Sequence, residues 1–110
     1  MNQPSVPQVP AAEVPADARL VDVREDDEWA AGHAPGAQHI PLGELAARYQ
    51  EIPTGGEVYV ICRAGSRSNQ AAQALAGAGW QVVNVADGMF GWHAAGRAME
   101  CPSGATPFVA

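Results

Sequence analysis

Lysine is absent from all 110 residues, and the six basic side chains, all arginine, face twelve aspartates and glutamates, for a net charge of −6. A chain this poor in cations excludes binding to a phosphate backbone, so no nucleic-acid partner is expected. Cysteine is scarce, with two copies. Two are too few for a disulfide framework, and no Cys/His spacing suits a metal site. Apolar runs are short, and none approaches the ~18 residues of a membrane span. The opening Met1-Asn-Gln-Pro-Ser-Val-Pro7 has neither the basic start nor the apolar stretch of a secretory leader. A cytoplasmic protein with no membrane partner is the expectation.

What the chain does contain is a hydrophobic fraction of 47% with 16% charged residues, the balance of one globular domain with a real core. Its centre is Val58-Tyr-Val-Ile-Cys-Arg-Ala-Gly-Ser-Arg-Ser68. The run begins apolar after Gly55-Gly56-Glu57 and reads as a short strand buried on both faces. It continues into helical spacing, with Ala71, Ala72, Leu75 and Ala78 on one face. The tight loop between them carries Cys62, Gly65 and two arginines, Arg63 and Arg67. Loop amides and a helix N-terminus converging on one point favour an anion there. The anion is the sulfur of Cys62 or whatever it binds. A thiol titrating near ~8.5 is lowered by such surroundings, so Cys62 is expected to be largely thiolate at neutral pH. Arg63 and Arg67 add charge that cannot be lost, and Gly65 lets the backbone turn with positive φ. The plain alternative is a buried cysteine ending a core strand, which leaves the neighbouring arginines and glycine without a role.

Cys62-Arg-Ala-Gly-Ser-Arg67 resembles the active-site loop of the rhodanese family of sulfurtransferases. The resemblance runs from about Arg19 to Gly96. Val21-Asp-Val-Arg24, Glu28-Trp29 and Gly32-His-Ala-Pro-Gly-Ala37 are similar to the family's first signature, and Asp87-Gly-Met-Phe-Gly-Trp92 with Gly96 to its closing one. Three motifs in the family's order are far more specific than one. The resemblance implies a rhodanese-like α/β fold with a small parallel sheet flanked by helices. It also implies that Asp22 and Arg24 support the active loop from below. As strand residues two apart they share a side, and an ordinary structural ion pair is the equal alternative. Two positions depart from the family pattern: Ala34 replaces a larger aliphatic residue, and Asp87 replaces a glycine.

Three segments are expected: a Pro-rich arm over 1–18, the rhodanese-like domain over 19–100 and a tail over 101–110. Pro4, Pro7, Pro10 and Pro15 forbid a helix in the arm, which reads as extended with an edge strand near Val6–Val9. Arg19–Arg24 reads as a central strand, and Glu25–Glu28 as the acidic first turn of a short helix rather than a binding patch. Trp29 is expected as a core anchor. His33, among glycine and proline, is expected to satisfy backbone groups rather than act as a base. Gln38–Ile40 reads as a strand and Glu44–Tyr49 as a short helix presenting Leu45 and Tyr49. Gly77 and Gly79 stop the long helix, and Gln81–Val85 forms the next strand. Met89, Phe90 and Trp92 are expected in the core, with walls of the pocket mouth as the lesser reading. His39 and His93 have no evident partners, and Cys101 reads as a thiol in a flexible tail, with a resolving role for a Cys62 persulfide as the lesser reading.

Loop length, taken together with the family resemblance, favours sulfur over phosphoryl chemistry. Cysteine-dependent phosphatases, one family of which shares the rhodanese fold, place five residues between cysteine and arginine. Here four, Arg63 to Ser66, separate Cys62 from Arg67, and Ser68 holds the sixth position after Cys62. A shorter loop gathers its amides, from Arg63, Ala64, Gly65, Ser66, Arg67 and Ser68, around a smaller target such as a terminal sulfur. The expected activity is thiosulfate sulfurtransfer: Cys62 takes a sulfane sulfur as a persulfide and yields it to cyanide, a thiol or a protein acceptor. A dianionic donor suits two arginines, and no cofactor or metal is required. A persulfide carrier without turnover is the alternative, and a phosphatase or arsenate reductase the lesser one.

Overall fold

The structure, a computed structural model, describes residues 6–110. Pro4 and the other residues before Val6 lie outside the described residues. Five short strands, β1 (Gln8–Val9), β2 (Arg19–Asp22), β3 (Gln38–His39), β4 (Val58–Ile61) and β5 (Val82–Val85), form one sheet in the order β1-β5-β4-β2-β3. Every pairing is parallel. The expected parallel α/β architecture is therefore present. Parallel strands need crossovers: α1 (Asp26–Ala31) joins β2 to β3, α2 (Leu45–Arg48) joins β3 to β4 and α3 (Ser66–Gly77) joins β4 to β5, while α4 (Gly88–Ala94) follows the last strand.

The central position of β4 explains its unbroken apolar sequence, because all four of its residues are buried. Its side chains divide between the two faces with the period of two that a strand imposes. Val58, Val60 and Cys62 pack with Val21, Leu45, Ala71, Ala72 and Leu75 on the α2–α3 face. Tyr59 and Ile61 pack with Ala11, Val14, Met89 and Trp92 on the α4 face. Connections leave the centre in opposite directions, β2 to β3 one way and β4 to β5 the other. The carboxyl ends around β4 thus lie at the switch point where open α/β sheets place their sites.

Residues 6–14 are built into this sheet. β1 pairs with β5 at the edge, a 3-10 turn covers Ala11–Glu13, and Ala11 and Val14 are core residues at 0% and 4% exposure. The tail also returns to the domain. Phe108 N–H donates to the Ala31 carbonyl at 3.0 Å, and His33 and Glu100 exchange two backbone hydrogen bonds at 2.8 and 2.9 Å. A loose tail was expected because its Pro and Gly content carries no periodic pattern, and the pairing that fixes it is with residues some seventy positions earlier.

Helix α1 starts at a capping box formed by Glu25 and Glu28, which satisfies two of the N–H groups a helix start leaves unpaired. Helix α3 ends in a Schellman motif, with Trp80 N–H donating to Leu75 O at 3.0 Å and Gly79 N–H to Ala76 O at 3.1 Å. Gly77 therefore lies inside the helix. Ala78 is its exposed cap residue rather than part of the buried face, since the helix closes before the fourth apolar position turns inward.

Candidate active site

Cys62 leaves the end of β4 and begins a loop that closes at Ser66, where α3 starts. Two glycines permit its shape. Gly65 has φ +109°, and a Cβ there would come within 2.1 Å of the Ala86 carbonyl oxygen. Gly88 has φ +56°, and its Cβ would meet the carbonyl oxygens of Cys62 and Arg63 at 2.5 Å each. Both the conformation and the space thus demand glycine. The backbones approach so closely because the start of α4 caps the loop. Met89 N–H donates to Cys62 O at 2.8 Å, and Phe90 N–H to Arg63 O at 3.1 Å. Asn84 of β5, buried at 2% exposure, donates from Nδ2 to Gly65 O at 3.2 Å and to Gln8 Oε1 at 2.7 Å. Gln8 in turn donates to Asn69 Oδ1 at 2.7 Å. The arm, the last strand and α3 are thereby tied to one loop carbonyl.

With its carbonyls held outward, the loop points amides inward. Gly65 N–H donates to Cys62 Sγ at 3.1 Å, and the Ser68 hydroxyl lies 3.2 Å from the same sulfur. Burial pushes the Cys62 thiol up, but the Ser68 hydroxyl and the backbone N–H groups of Ser68, Gly65 and Ala64 outweigh it, and the thiol titrates below its ordinary range. Donors aimed at a buried sulfur stabilise its charged form. The direction agrees with the expectation: the loop amides expected to favour the anion do so, joined by the Ser68 hydroxyl.

Neither arginine hydrogen-bonds to the sulfur, although Arg67 interacts with its charge. Arg67 donates to both carboxylate oxygens of Glu28, at 2.7 and 2.9 Å. This bidentate pair holds the Glu28 carboxyl down at about 2. Arg63 extends over the Phe90 ring, 4.8 Å from its centroid. Phe90 is 47% exposed, so it is a wall beside the loop and not a core residue, whereas Met89 and Trp92 are buried as expected. The difference follows from α4 having one buried face, with Phe90 on the other.

Asp22 and Arg24 form a fully buried pair. Arg24 Nη2 lies 2.8 Å from Asp22 Oδ2 and donates to the Gly32 carbonyl at 2.8 Å. Neither side chain hydrogen-bonds to residues 62–68; the pair ties β2 to the turn after α1. The loop is met from this side through the backbone, where Val23 N–H donates to Ile61 O at 3.0 Å.

Trp29 departs from the core assignment. Its ring is half-buried and sandwiched between two imidazoles, His33 at 3.6 Å and His39 at 4.5 Å between centroids. His39, for which sequence offered no partner, also bonds the Arg24 carbonyl at 2.8 Å. His33 bonds the Trp29 carbonyl at 3.1 Å. Cys101 is a free thiol, donating to Ala30 O at 3.1 Å. Asp87 takes a defined role: its carboxylate accepts from Ala11 N–H at 2.7 Å.

Glu28 and Asn84 were not foreseen as neighbours of the loop, whereas Phe90 fits the lesser of its two readings, a wall beside it. Glu28 was legible as a helix-start residue, and nothing local marks its second role. Among the described residues no group of histidine, cysteine and carboxylate side chains could hold a metal.

Comparisons with known proteins place this geometry. The chain is 43% identical over 74 residues to the Bacillus subtilis "Putative sulfur carrier protein YrkF", covering 66% of this chain and 40% of that one. It is 36% identical over 89 residues to an Allochromatium vinosum sulfurtransferase, covering 80% of this chain and 83% of that one. The solved structure of a rhodanese-related protein from Thermoplasma volcanium superposes with a TM-score of 0.81 at 27% identity, over 86% of this chain and 97% of its own. The chain spans less than half of the Bacillus relative's length and most of the other two. The family model for the rhodanese-like domain matches residues 10–95, most of the described chain, and the chain belongs to the rhodanese-like domain family.

Proposed function

We propose that the protein is a sulfurtransferase that takes a sulfane sulfur from thiosulfate or a related donor and passes it to a nucleophile through a Cys62 persulfide. The observation that carries this reading is the cradle of donors 3.1 and 3.2 Å from the Cys62 sulfur. Such donors stabilise a thiolate before reaction and a terminal persulfide charge after it. The thiolate attacks the donor's outer sulfur, the new S–S bond forms, and the donor's remaining group leaves with the electron pair. Cyanide or a thiol then attacks the terminal sulfur and restores the thiolate, in a double displacement. The backbone amides of residues 63–68 serve as the anion site. No step calls for a metal or cofactor. Ser68 in place of an arginine six positions after Cys62 weighs against phosphate chemistry. The reaction is assigned to the cytoplasm.

A second reading, a carrier that delivers its persulfide to a partner protein, is favoured by the Bacillus relative named for sulfur carriage and by the exposed Phe90 and Arg63 beside the sulfur.

Intact mass after brief thiosulfate treatment, beside a Cys62→Ser variant, tests the proposal. Gain of one sulfur atom, absent from the variant and removed by cyanide, is expected. Release to cyanide or thiols with saturable turnover marks the enzyme, and release only to a protein marks the carrier. Failure of every sulfane-sulfur donor to load Cys62 overturns the reading.

A further inference from the structure

We propose that Glu28 sets donor selection by neutralising Arg67, so that the site takes monoanionic organic sulfane-sulfur donors, R–SO2–S⁻ or R–S–S⁻, in preference to dianionic thiosulfate. The inference rests on the sulfurtransferase reading and narrows its donor.

The charges around the loop carry the first part. Two arginines flank the sulfur in sequence, but both carboxylate oxygens of Glu28 are engaged by Arg67. Arg67 still interacts with the charge of Cys62, and more weakly with Glu25 at the same helix start, but its guanidinium charge is neutralised by Glu28. Among the described residues, Arg63 is the one arginine with neither a carboxylate partner nor a hydrogen-bond acceptor; Arg19, Arg24, Arg48, Arg67 and Arg97 all have one. One uncommitted cation, with the second arginine neutralised by Glu28, matches one negative charge on a donor better than two.

Phe90 carries the second part. An aromatic ring 47% exposed beside the reacting loop offers an apolar face, and Arg63 lies against it. A donor whose organic group rests on that ring and whose anionic end meets Arg63 uses both. Thiosulfate has no such group. For a thiosulfonate, Cys62–S⁻ attacks the outer sulfur, Cys62–S–S⁻ forms, and R–SO2⁻ leaves with the electron pair of the broken bond. No proton or external oxidant is needed.

The test measures the second-order rate of Cys62 persulfide formation with thiosulfate, methanethiosulfonate and benzenethiosulfonate by intact mass. The unsubstituted protein is expected to prefer benzenethiosulfonate over thiosulfate by about tenfold or more, the scale of one charge contact plus one aromatic contact. Glu28→Gln frees Arg67 and is expected to raise the thiosulfate rate about five- to tenfold while changing methanethiosulfonate far less. Phe90→Ala is expected to remove the advantage of the benzene over the methane donor. An inhibition series on the unsubstituted protein serves where Glu28→Gln folds poorly: benzenesulfonate should protect Cys62 from loading at lower concentration than sulfate. Persulfide formation with a donor ratio unmoved by Glu28→Gln, or stronger protection by sulfate, overturns the selection and leaves the sulfurtransferase reading intact. No loading by any of the three donors overturns both.

Discussion

The Ser68 hydroxyl stands 3.2 Å from the Cys62 sulfur and 3.2 Å from the Gly65 carbonyl oxygen. It has one proton to give. Donated to the sulfur, that proton stabilises the thiolate; turned to the carbonyl, it supports the loop. Both residues are buried, at 0% and 1% exposure, so water does not replace the bond when it is removed.

Ser68→Ala should therefore raise the titration point of Cys62, because a charge-assisted hydrogen bond to the thiolate is lost. The pH dependence of alkylation by iodoacetamide reads this directly. At pH 7 the variant should load sulfur more slowly. The lowered folded-state titration also links Cys62 to stability: its contribution is full above the unfolded thiol's range near ~8.5 and is lost as pH falls through the folded value. Cys62→Ser should abolish that part of the pH dependence.

Gly88→Ala places a methyl 2.5 Å from the Cys62 and Arg63 carbonyl oxygens, at φ +56°. Backbone must move to accept it, and the expected cost is about 2–4 kcal/mol from crowding and left-handed strain together. Because the displaced residues hold the loop, the thiolate absorbance of Cys62 near neutral pH should fall along with the denaturation midpoint.

Arg24→Met leaves Asp22 buried without its cation, and a loss of about 3–5 kcal/mol is expected. Replacing both residues by apolar ones of similar size should recover much of it. A double-mutant cycle by chemical denaturation distinguishes the two, and a cycle with no coupling would contradict the close pairing at 2.8 Å.

Glu28 offers a stability test in acid. Its carboxyl is held at about 2 by Arg67, below the usual carboxylate range, so the pair's contribution is present above pH ~4.5 and lost as pH falls towards ~2. Urea midpoints measured across that window should drop more steeply for the unsubstituted protein than for Glu28→Gln.

Asp87→Gly restores the residue usual in the family and removes the 2.7 Å acceptor of Ala11 N–H. That N–H belongs to a fully buried residue, so a loss of about 1–2 kcal/mol is expected. Faster hydrogen exchange at Ala11 than in β4 would locate the effect in the arm.

Much of the fold was legible because its signals are local. Val58–Ile61 announces a strand by being apolar throughout, α3 by the spacing of Ala71, Ala72 and Leu75, and the cysteine loop by its glycine and arginines between the two. These depend on residues a few positions apart, where propensity and periodicity act. Where local signals were weak the expectation missed: Trp29 is large and apolar, which reads as core, yet its neighbours in space are His33 and His39. Phe90 has the same composition signal as Met89, and only the rotation of α4 separates a buried residue from an exposed one.

The sequence by itself determined that a cysteine sits at a strand–loop–helix junction of a small parallel α/β domain, because that loop is contiguous and its geometry is set by its own residues. Tertiary structure alone decided which charges act there. Arg67 and Glu28 lie 39 positions apart and meet because β2 and β4 are neighbours in the sheet, bringing the start of α1 to the start of α3. Electrostatic interaction depends on distance in space and on burial, and neither is written into sequence separation.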